Sequence, residues 1–324
     1  MTEFQVRKTT KEDEPNINKL FSKVFQKQRS PELWRWLYHD TPGGTGLGVI
    51  ALDGHKFIAH AGLVRRPFWL GNQEVSGGQS IDAMTAPEYQ RKGLNRKLQV
   101  HLGKGLKAEG MKVVYGFSNE HSTPGILKHQ GRVAMGPFPL LAKWISARNL
   151  VRGGGPLPAP RAAIIPDDYA PFEGPSETKV SAALTREYLR WRYQKPEGIY
   201  REVVLRKAGA LEGLGILSIR KQGGVRAAFI CEILAPQYDQ AIRKQVLKAL
   251  VREARESGCA VVVGLAYPTA LNRSVYSHCR FLPVPQLLQL ERVAFSARAE
   301  TKSDEPLLYH PGAWELTWGL HDLV

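Results

Sequence analysis

The sequence predicts an α/β protein that contains two similar domains in tandem. Helical and strand patterns alternate along the chain, and a Pro/Gly-rich stretch interrupts them near the middle. The residue pattern found before that stretch returns, in the same order, after it. The length of 324 residues also suits two domains of about 150 residues each.

The first half begins with helical patterns and continues with strands. Apolar residues recur every three or four positions from Glu12 to Gln28, which predicts an amphipathic helix. Ser30 and Pro31 are typical of a helix start, so a second helix is predicted over Pro31–Tyr38. The remaining predicted elements of this half are Val49–Leu52, Phe57–Val64, Pro67–Leu70, Glu74–Val75, Ser80–Thr85 and Val113–Ser118 as strands, Gly93–Glu109 and 123–130 as helices, and Val133–Trp144 as strand and loop.

The domain boundaries follow from composition and from the repeat. Glycine and proline dominate from Gly153 to Pro160, and the predicted organisation is a domain over 1–150, a linker over 151–180 and a second domain over 181–324. The matches between the two halves keep their order at offsets of 148 to 155 residues. They pair Arg35-Trp36-Leu37-Tyr38 with Arg190-Trp191-Arg192-Tyr193, Pro87 with Pro236, Tyr89 with Tyr238, Gly110 with Gly258, Gly116 with Gly264, and Arg132 with Arg280.

Composition excludes several classes of protein. Three cysteines without CxxC spacing predict neither a disulfide scaffold nor a zinc site, and they fit a reducing compartment. The N-terminus lacks the apolar core of a secretory signal, and no stretch is apolar enough to span a membrane, so a cytoplasmic location is expected. The net charge of +15 calls for an explanation, and nucleic acid, an anionic membrane surface or a phosphorylated ligand would each provide one.

The excess charge concentrates in the first half, which carries +10 against +5 for residues 151–324. Its densest cluster consists of four basic residues around Gly93, between a predicted strand and a predicted helix: Arg91, Lys92, Arg96 and Lys97. Unpaired backbone N–H groups at a helix start form an anion site, and a glycine permits close approach of a phosphate. The spacing therefore predicts a pyrophosphate-binding turn. A nucleic-acid partner ranks low, because the basic residues do not follow an aromatic-studded face.

This turn resembles motif A of the GNAT superfamily of acetyl-CoA-dependent N-acetyltransferases. The family pattern Gln/Arg-x-x-Gly-x-Gly/Ala corresponds here to Gln90-Arg91-Lys92-Gly93-Leu94-Asn95, with Asn95 departing from the usual small residue. The resemblance implies an α/β (α+β) fold of two tandem GNAT-like domains, each with a mixed, mostly antiparallel sheet flanked by helices. The second copy is interpreted as degenerate, because it lacks the glycine and the leading basic pair.

The resemblance also implies where acetyl-CoA, or another acyl-CoA, would bind. The pantetheine is expected along the backbone of the central strand, which the strand at Val113–Ser118 leaves by splaying away. The implied coenzyme-binding residues are Met84, Thr85, Ala86, Gln90, Arg91, Lys92, Gly93, Leu94, Asn95, Arg96 and Asn119.

Acyl transfer to an amine needs a base for the amine proton and a donor for the departing thiolate. Asp82, on the central strand, is the first candidate for the base, and His60 on the neighbouring strand is the second. The tyrosine that the family uses as thiolate donor is replaced by Leu127, and His121, Ser122 or a water molecule could serve instead. Tyr276 holds the family position in the second copy.

The sequence thus predicts an acyl-CoA-dependent N-acyltransferase, a class of enzyme that needs no metal. Its partner would be a small-molecule amine, with amino sugars and surface-glycan precursors considered as acceptors. Two alternatives stay open: a catalytically silent acyl-CoA-binding or regulatory protein, and an enzyme that acylates a protein or peptide amine. The sequence does not determine the acceptor, the acyl chain length or the oligomeric state.

Overall fold

The computed structural model describes residues 4–119, 122–129, 131–137, 140–152, 155–172, 174–266, 270–285 and 294–321. In chain order, the helices and strands up to residue 152 are β1 (Gln5–Lys8), α1 (Glu14–Phe25), α2 (Pro31–Tyr38), β2 (Leu47–Asp53), β3 (Lys56–Leu70), β4 (Gln73–Thr85), α3 (Leu94–Ala108), β5 (Val113–Ser118), α4 (Thr123–His129), β6 (Val133–Pro137), β7 (Leu140–Trp144) and α5 (Ala147–Arg152). Those that follow are β8 (Val180–Ala182), α6 (Arg186–Tyr193), β9 (Tyr200–Lys207), β10 (Ala210–Gln222), β11 (Val225–Leu234), α7 (Gln240–Glu256), β12 (Val261–Leu265), α8 (Ala270–His278), β13 (Leu282–Pro283), β14 (Ala294–Ala299) and α9 (Glu305–Leu308).

The chain forms two compact units, each made of two chain segments. Unit 1 comprises Met1–Gly136 and Val293–Tyr309, and unit 2 comprises Pro137–Arg292 and His310–Val324. The sheet of unit 1 has the strand order β1-β2-β3-β4-β5-β14-β6, with β4 and β5 parallel and the pairs β1–β2, β2–β3, β3–β4 and β5–β14 antiparallel. The sheet of unit 2 has the order β13-β7-β12-β11-β10-β9, with only β11 and β12 parallel. These mixed, mostly antiparallel sheets confirm the predicted fold class.

Helix α3 is held against the sheet of unit 1 by a single apolar stripe. Leu94, Leu98, Leu102 and Leu106 recur every four residues, and all four are buried in one cluster with residues of β2 and β3. Each fully buried leucine contributes about 2 kcal/mol through the hydrophobic effect. This packing fixes the start of α3 close after the end of β4, where the basic residues of the turn lie.

The order of elements in unit 2 repeats that of unit 1. A short helix, three antiparallel strands, a long helix, a parallel strand and a further helix follow one another as α2 to α4 in the first half and as α6 to α8 in the second. Both short helices have eight residues and start at a hydroxyl N-cap, Ser30 in one and Thr185 in the other. The structure therefore supports the internal repeat at the level of element order.

One strand near the end of each sheet comes from the other half of the sequence. Strand β14 lies between β5 and β6 in unit 1, and β7 lies between β12 and β13 in unit 2. The units therefore divide the chain at other positions than the predicted boundaries at 150 and 181. A local pattern identifies a strand but not its neighbours, so this exchange has no signal in the sequence.

The segment predicted as a linker packs as part of unit 2. It has little regular structure, yet Ala163, Ile165 and Tyr169 are buried, and Arg161 pairs with Ile199 in an isolated bridge. Prolines and glycines mark the absence of helix and strand in such a segment. They do not show whether its apolar side chains find a core.

One further difference concerns the strands. The four short strands predicted between residues 57 and 85 are two long ones, β3 and β4, paired from Ala59↔Thr85 to Leu70↔Gln73. The adjacent residues Arg65 and Arg66 interrupt the apolar pattern, so the sequence did not predict β3 as one continuous strand, although Arg66 is fully buried.

The three cysteines form no disulfide and are buried. Within the described part of the chain, no helix has the length and apolarity needed to cross a membrane.

A buried carboxyl group lies in the core of unit 2. Glu232 on β11 is 2% exposed, and its Oε1 accepts hydrogen bonds from Tyr193 Oη at 2.7 Å and from Thr317 Oγ1 at 3.2 Å. Its Oε2 has no hydrogen-bond partner in the described ranges of the chain. Burial raises the pKa of Glu232 to about 7, because desolvation disfavours the charged form.

This pKa shift makes the stability of unit 2 depend on pH. The pKa of Glu232 lies above its unfolded value of 4.5, so the contribution is full at low pH and is lost as pH rises from 4.5 through about 7. Glu232→Gln stays neutral at every pH. It should therefore raise the free energy of unfolding at pH 8 by up to about 3 kcal/mol and change it little at pH 4.5. Urea unfolding of both proteins at the two pH values measures this, and an equal pH dependence in both would contradict it.

Candidate functional site

Strands β4 and β5 part after a short parallel pairing. Gly77, Gly78 and Gln79 pair with Val113, Val114 and Tyr115, and the ladder ends there although β4 continues to Thr85 and β5 to Ser118. On its other edge, β4 stays paired with β3 as far as Thr85. The second half of β4 therefore offers backbone groups on its β5 side to an extended ligand, which can add to the sheet like a strand.

A β-bulge lies in this part of β4. The pairing with β3 shifts between His60 and Gly62, so that Asp82 and Ala83 together face Ala61. Asp82 has a φ of +53°, a left-handed conformation that aspartate tolerates better than most residues. The bulge breaks the strand alternation at Asp82, at the level where β4 and β5 have separated.

The carboxylate of Asp82 is held in place by two partners. Its Oδ2 lies 2.5 Å from Arg29 Nη1 and accepts a hydrogen bond from Tyr38 Oη at 2.9 Å. The Arg29 side chain is only 2% exposed, and its guanidinium lies over the rings of Phe21 and Trp34 at 4.3 and 4.9 Å. Arg29 Nη2 and Trp34 Nε1 are buried without a hydrogen-bond partner among the described residues. The Asp82 carboxylate is thus fixed in position, and the two unpaired N–H groups of the cluster can still donate hydrogen bonds.

His60 lies beside this cluster in a form that can accept a proton. The residue is 1% exposed, and its Nδ1 lies 3.1 Å from the backbone carbonyl oxygen of Asp82. Since a carbonyl only accepts, Nδ1 carries the proton, and the Nε2 lone pair is buried without a partner among the described residues. Burial lowers the pKa of His60, and the charge of Asp82 opposes this in part. His60 is therefore neutral near pH 7.

The turn between β4 and α3 is open and strongly basic. Gly93 has a φ of +73°, and a Cβ atom at this position would meet nothing within 4 Å. Helix α3 starts at Leu94 without a side-chain cap and without an acidic residue in its first turn. The four basic residues of the turn are exposed and form no ion pair with the described carboxylates: Arg91, Lys92, Arg96 and Lys97. Uncapped N–H groups and basic side chains that are not engaged in ion pairs together suit a phosphate group.

The other predicted coenzyme residues lie along the same path. Met84 and Ala86 are buried at the end of β4, so they can contribute backbone groups only. Gln90 Nε2 donates to the Thr85 carbonyl at 3.4 Å. Asn119 is exposed just after β5, and its Oδ1 accepts from the backbone N–H of Ser122 at 2.9 Å.

The predicted catalytic residue His121 lies outside the described residues. Within the described ranges, no group of three or more His, Cys, Asp or Glu side chains is placed to hold a metal ion.

The sequence analysis missed Arg132, whose side chain reaches the separation point of the strands. A Cβ atom on Gly116, the first β5 residue beyond the pairing, would overlap Arg132 Nη1 and lie 3.5 Å from the Ser80 carbonyl oxygen. Arg132 is 7% exposed, and burial lowers its pKa to about 9, so it is charged near pH 7. No described carboxylate lies within ion-pair distance of it.

In unit 2, a tyrosine occupies the matching position. A Cβ atom on Gly264, the β12 residue that repeats Gly116, would overlap the ring of Tyr276. Tyr276 is buried, and desolvation raises the pKa of its hydroxyl. The repeat pairs the two glycines in the sequence, but only the fold shows that Arg132 lies beside Gly116 and Tyr276 beside Gly264.

The chain's own C-terminal segment fills the equivalent region of unit 2. Thr317 Oγ1 donates to Glu232 Oε1, while Arg192 Nε and Nη2 donate to the carbonyl oxygens of Gly319 and His321 at 2.5 and 2.8 Å. The bulge of β11 lies at Cys231, which is buried. The two units thus share a framework but differ in what occupies it.

Comparison with known proteins identifies the class of the first unit. Residues 5–131 match the family model described as an acetyltransferase (GNAT) domain. A comparison with curated proteins finds no match. Residues 5–131 therefore form a GNAT acetyltransferase domain, which contains the separated strands, the bulge and the basic turn.

The fold of the chain is similar to that of several solved structures. A GCN5-related N-acetyltransferase from Anabaena variabilis superposes with a TM-score of 0.63 at 10% identity, covering 93% of this chain and 74% of that one. A probable N-acyltransferase from Enterococcus faecalis gives a TM-score of 0.61 at 12% identity, with 94% and 74% covered. The N-myristoyltransferase of Saccharomyces cerevisiae, solved with bound myristoyl-CoA, gives 0.58 at 10% identity, with 92% and 83% covered.

Proposed function

We propose that the protein is an acyl-CoA-dependent N-acyltransferase that uses unit 1 as its catalytic domain. The observation that carries the proposal is the separation of β4 and β5, which leads directly to the open basic turn at Gly93. An extended pantetheine arm would hydrogen-bond to the free edge of β4, and the pyrophosphate would meet the N–H groups of α3. The GNAT match over residues 5–131 and the similarity to a structure with bound myristoyl-CoA support this assignment.

In this proposal, the coenzyme is a co-substrate that supplies the acyl group. The backbone of Met84, Thr85 and Ala86 aligns the pantetheine, and the turn from Gln90 to Arg96 binds the phosphates. Asn119 contributes its amide at the end of β5. Unit 2 has a different role, because its corresponding region is filled by Thr317–His321 and its turn lacks the glycine.

Acetyl-CoA binding and thiol release test the function. Isothermal titration of the wild type should show one site, and Arg91→Gln/Lys92→Gln should weaken binding at least tenfold because two phosphate contacts are lost. The matched control is Lys104→Gln/Lys107→Gln, which removes two exposed charges from the other end of α3 and should leave the affinity within twofold.

The same preparation is then assayed for free thiol with a panel of amino sugars, polyamines and peptides. An accepted amine from the panel identifies the acceptor class, and we expect a small primary amine such as an amino sugar. Binding of acetyl-CoA without thiol release for any amine would favour the alternative, a silent acyl-CoA-binding protein. Absence of binding would refute both.

The acceptor must lose a proton before or during its attack on the thioester. We propose that Nε2 of His60 accepts this proton, directly or through one water, because its lone pair has no other partner among the described residues. Asp82 is then a positioning residue. Its carboxylate fixes Arg29 and Tyr38, and its backbone carbonyl fixes the tautomer of His60.

This assignment predicts a pH-dependent defect. His60→Gln should lower kcat about 100-fold and leave the Kd for acetyl-CoA within twofold. In the wild type, activity should fall as pH decreases through a pKa below the ordinary value of 6.5, since burial lowers the pKa of His60. This acid limb should be absent in the variant. The exposed His55→Gln serves as control, and an unchanged acid limb in His60→Gln would contradict the assignment.

The departing thiolate needs a positive partner or a proton. We propose that the Arg132 guanidinium provides it, since it lies where the strands separate and takes the position that Tyr276 occupies in the other unit. A fixed cation in a site shielded from water stabilises a developing anion without reorganisation. Unit 1 would thus use a guanidinium that is charged near pH 7 in place of a neutral acid.

Removal of this charge should affect the chemical step more than binding. Arg132→Ala is expected to lower kcat about 100-fold with little change in the Kd for acetyl-CoA. Added guanidinium ion should restore part of the activity by filling the space that the side chain leaves, and Arg132→Lys should retain more activity than alanine. A structural role alone would not respond to guanidinium. Full activity of Arg132→Ala would exclude the arginine from the reaction.

A further inference from the structure

Unit 2 contains a cavity that the proposed acyl transfer does not use. Its volume is about 390 Å³, and it lies where β7, the second half of α7 and the turn after α8 meet. Six of its lining residues are basic: Lys143, Lys248, Arg252, Arg255, His278 and Arg280. The other two are Val251 and Cys279, so none of the described residues that line the cavity is acidic. Three separate elements thus direct basic side chains to one place.

Three of these residues come from one face of α7. Lys248, Arg252 and Arg255 are spaced by four and three residues, at which like charges repel one another. None of them forms an ion pair with a described carboxylate, and Glu253 on the same helix pairs with Arg201 instead, at 3.6 Å. The helix dipole favours a cation at the C-terminal end, which accounts for Arg255. The dipole does not account for the basic residues of other elements, which are Lys143 on β7 and His278 and Arg280 at the end of α8.

The turn after α8 holds its arginine in an unfavourable backbone conformation. Arg280 has a φ of +60°, where glycine is the favoured residue, and the turn after α4 in unit 1 has Gly131 at +61°. The backbone thus matches Arg280 with Gly131 and not with Arg132, which the sequence repeat pairs with it. The turn is attached to the sheet, because Lys143 Nζ donates to the Cys279 carbonyl at 2.6 Å. Unit 2 therefore keeps an arginine at the rim of the cavity where glycine would fold with less strain.

We propose that this cavity binds a small ligand that carries two or more linked phosphate groups. Its volume suits a ligand of that size, and arginine forks bind phosphate oxygens in pairs. A single phosphate would neutralise only part of five permanent charges, whereas a polyphosphate chain can contact α7, β7 and the turn at once. The cavity lies at the second half of α7, away from the N-terminal end that corresponds to the acyl-CoA turn of α3.

Titration with inorganic tripolyphosphate at constant ionic strength tests the proposal. The wild type should bind it, and Arg252→Gln/Arg255→Gln should weaken the binding at least tenfold. The control Lys207→Gln/Lys221→Gln removes the same charge from exposed positions of unit 2 outside the cavity, and it should change the affinity less than twofold. Orthophosphate should bind at least tenfold more weakly than tripolyphosphate.

Arg280→Gly provides a variant whose stability and binding should change in opposite directions. Glycine relieves the left-handed backbone, so the Tm should rise, while the affinity for tripolyphosphate should fall at least threefold. A merely structural arginine would not combine these two effects.

The proposal can also be separated from phosphate binding at the Gly93 turn. If Arg91→Gln/Lys92→Gln abolishes tripolyphosphate binding and Arg252→Gln/Arg255→Gln preserves it, the ligand binds in unit 1 and the proposal is overturned. It is equally overturned if both unit 2 double variants weaken binding alike, since the effect is then one of net charge. Equal affinity for orthophosphate and tripolyphosphate would show a simple anion site instead. Retained binding in Arg91→Gln/Lys92→Gln with loss in Arg252→Gln/Arg255→Gln supports the proposal.

Discussion

The separation of β4 and β5 is the constraint on which the rest of unit 1 depends. A parallel ladder that stops after Gln79 and Tyr115 leaves half of β4 with one free edge, and free backbone groups need either water or a ligand. Gly116 stands at the point of separation and leaves room for the Arg132 guanidinium. The bulge at Asp82 and the basic turn at Gly93 then follow along the same strand. The bulge and the basic turn can both contact a ligand on β4 because the separation of the strands leaves that edge of β4 unpaired.

A buried ion pair gives this arrangement its rigidity. Two charges are removed from water when Arg29 pairs with Asp82, and such a pair offsets its desolvation only with good geometry and further hydrogen bonds. The second bond from Tyr38 and the rings of Phe21 and Trp34 provide these. A bulge with a left-handed aspartate would otherwise be a weak point of the strand. Here it is fixed from the side chain, and its carbonyl can orient His60.

The two units show how one framework can hold different chemistry. Unit 1 has an open turn and an arginine at its strand separation, whereas unit 2 has a buried tyrosine there and its own C-terminal segment beside the bulge. Unit 2 instead directs basic residues into the cavity at the end of α7. The positive charge of the chain thus has two centres. The first lies around Gly93 and the second around Arg252, which offers an explanation for the excess charge of the second half.

The sequence by itself determined the α/β class, the bounds of α2 and β5, the repeat and the position of the basic turn, because these depend on local spacing and on residue types near one another in the chain. It also identified Asp82 and His60 as neighbours on adjacent strands. Only the tertiary structure decided that β7 and β14 join the sheets of the opposite halves, that Asp82 is paired with Arg29, and that Arg132 reaches Gly116. These facts depend on which elements pack together. Spacing along the chain does not carry that information, since contacts between distant segments are selected by burial and pairing in the folded protein.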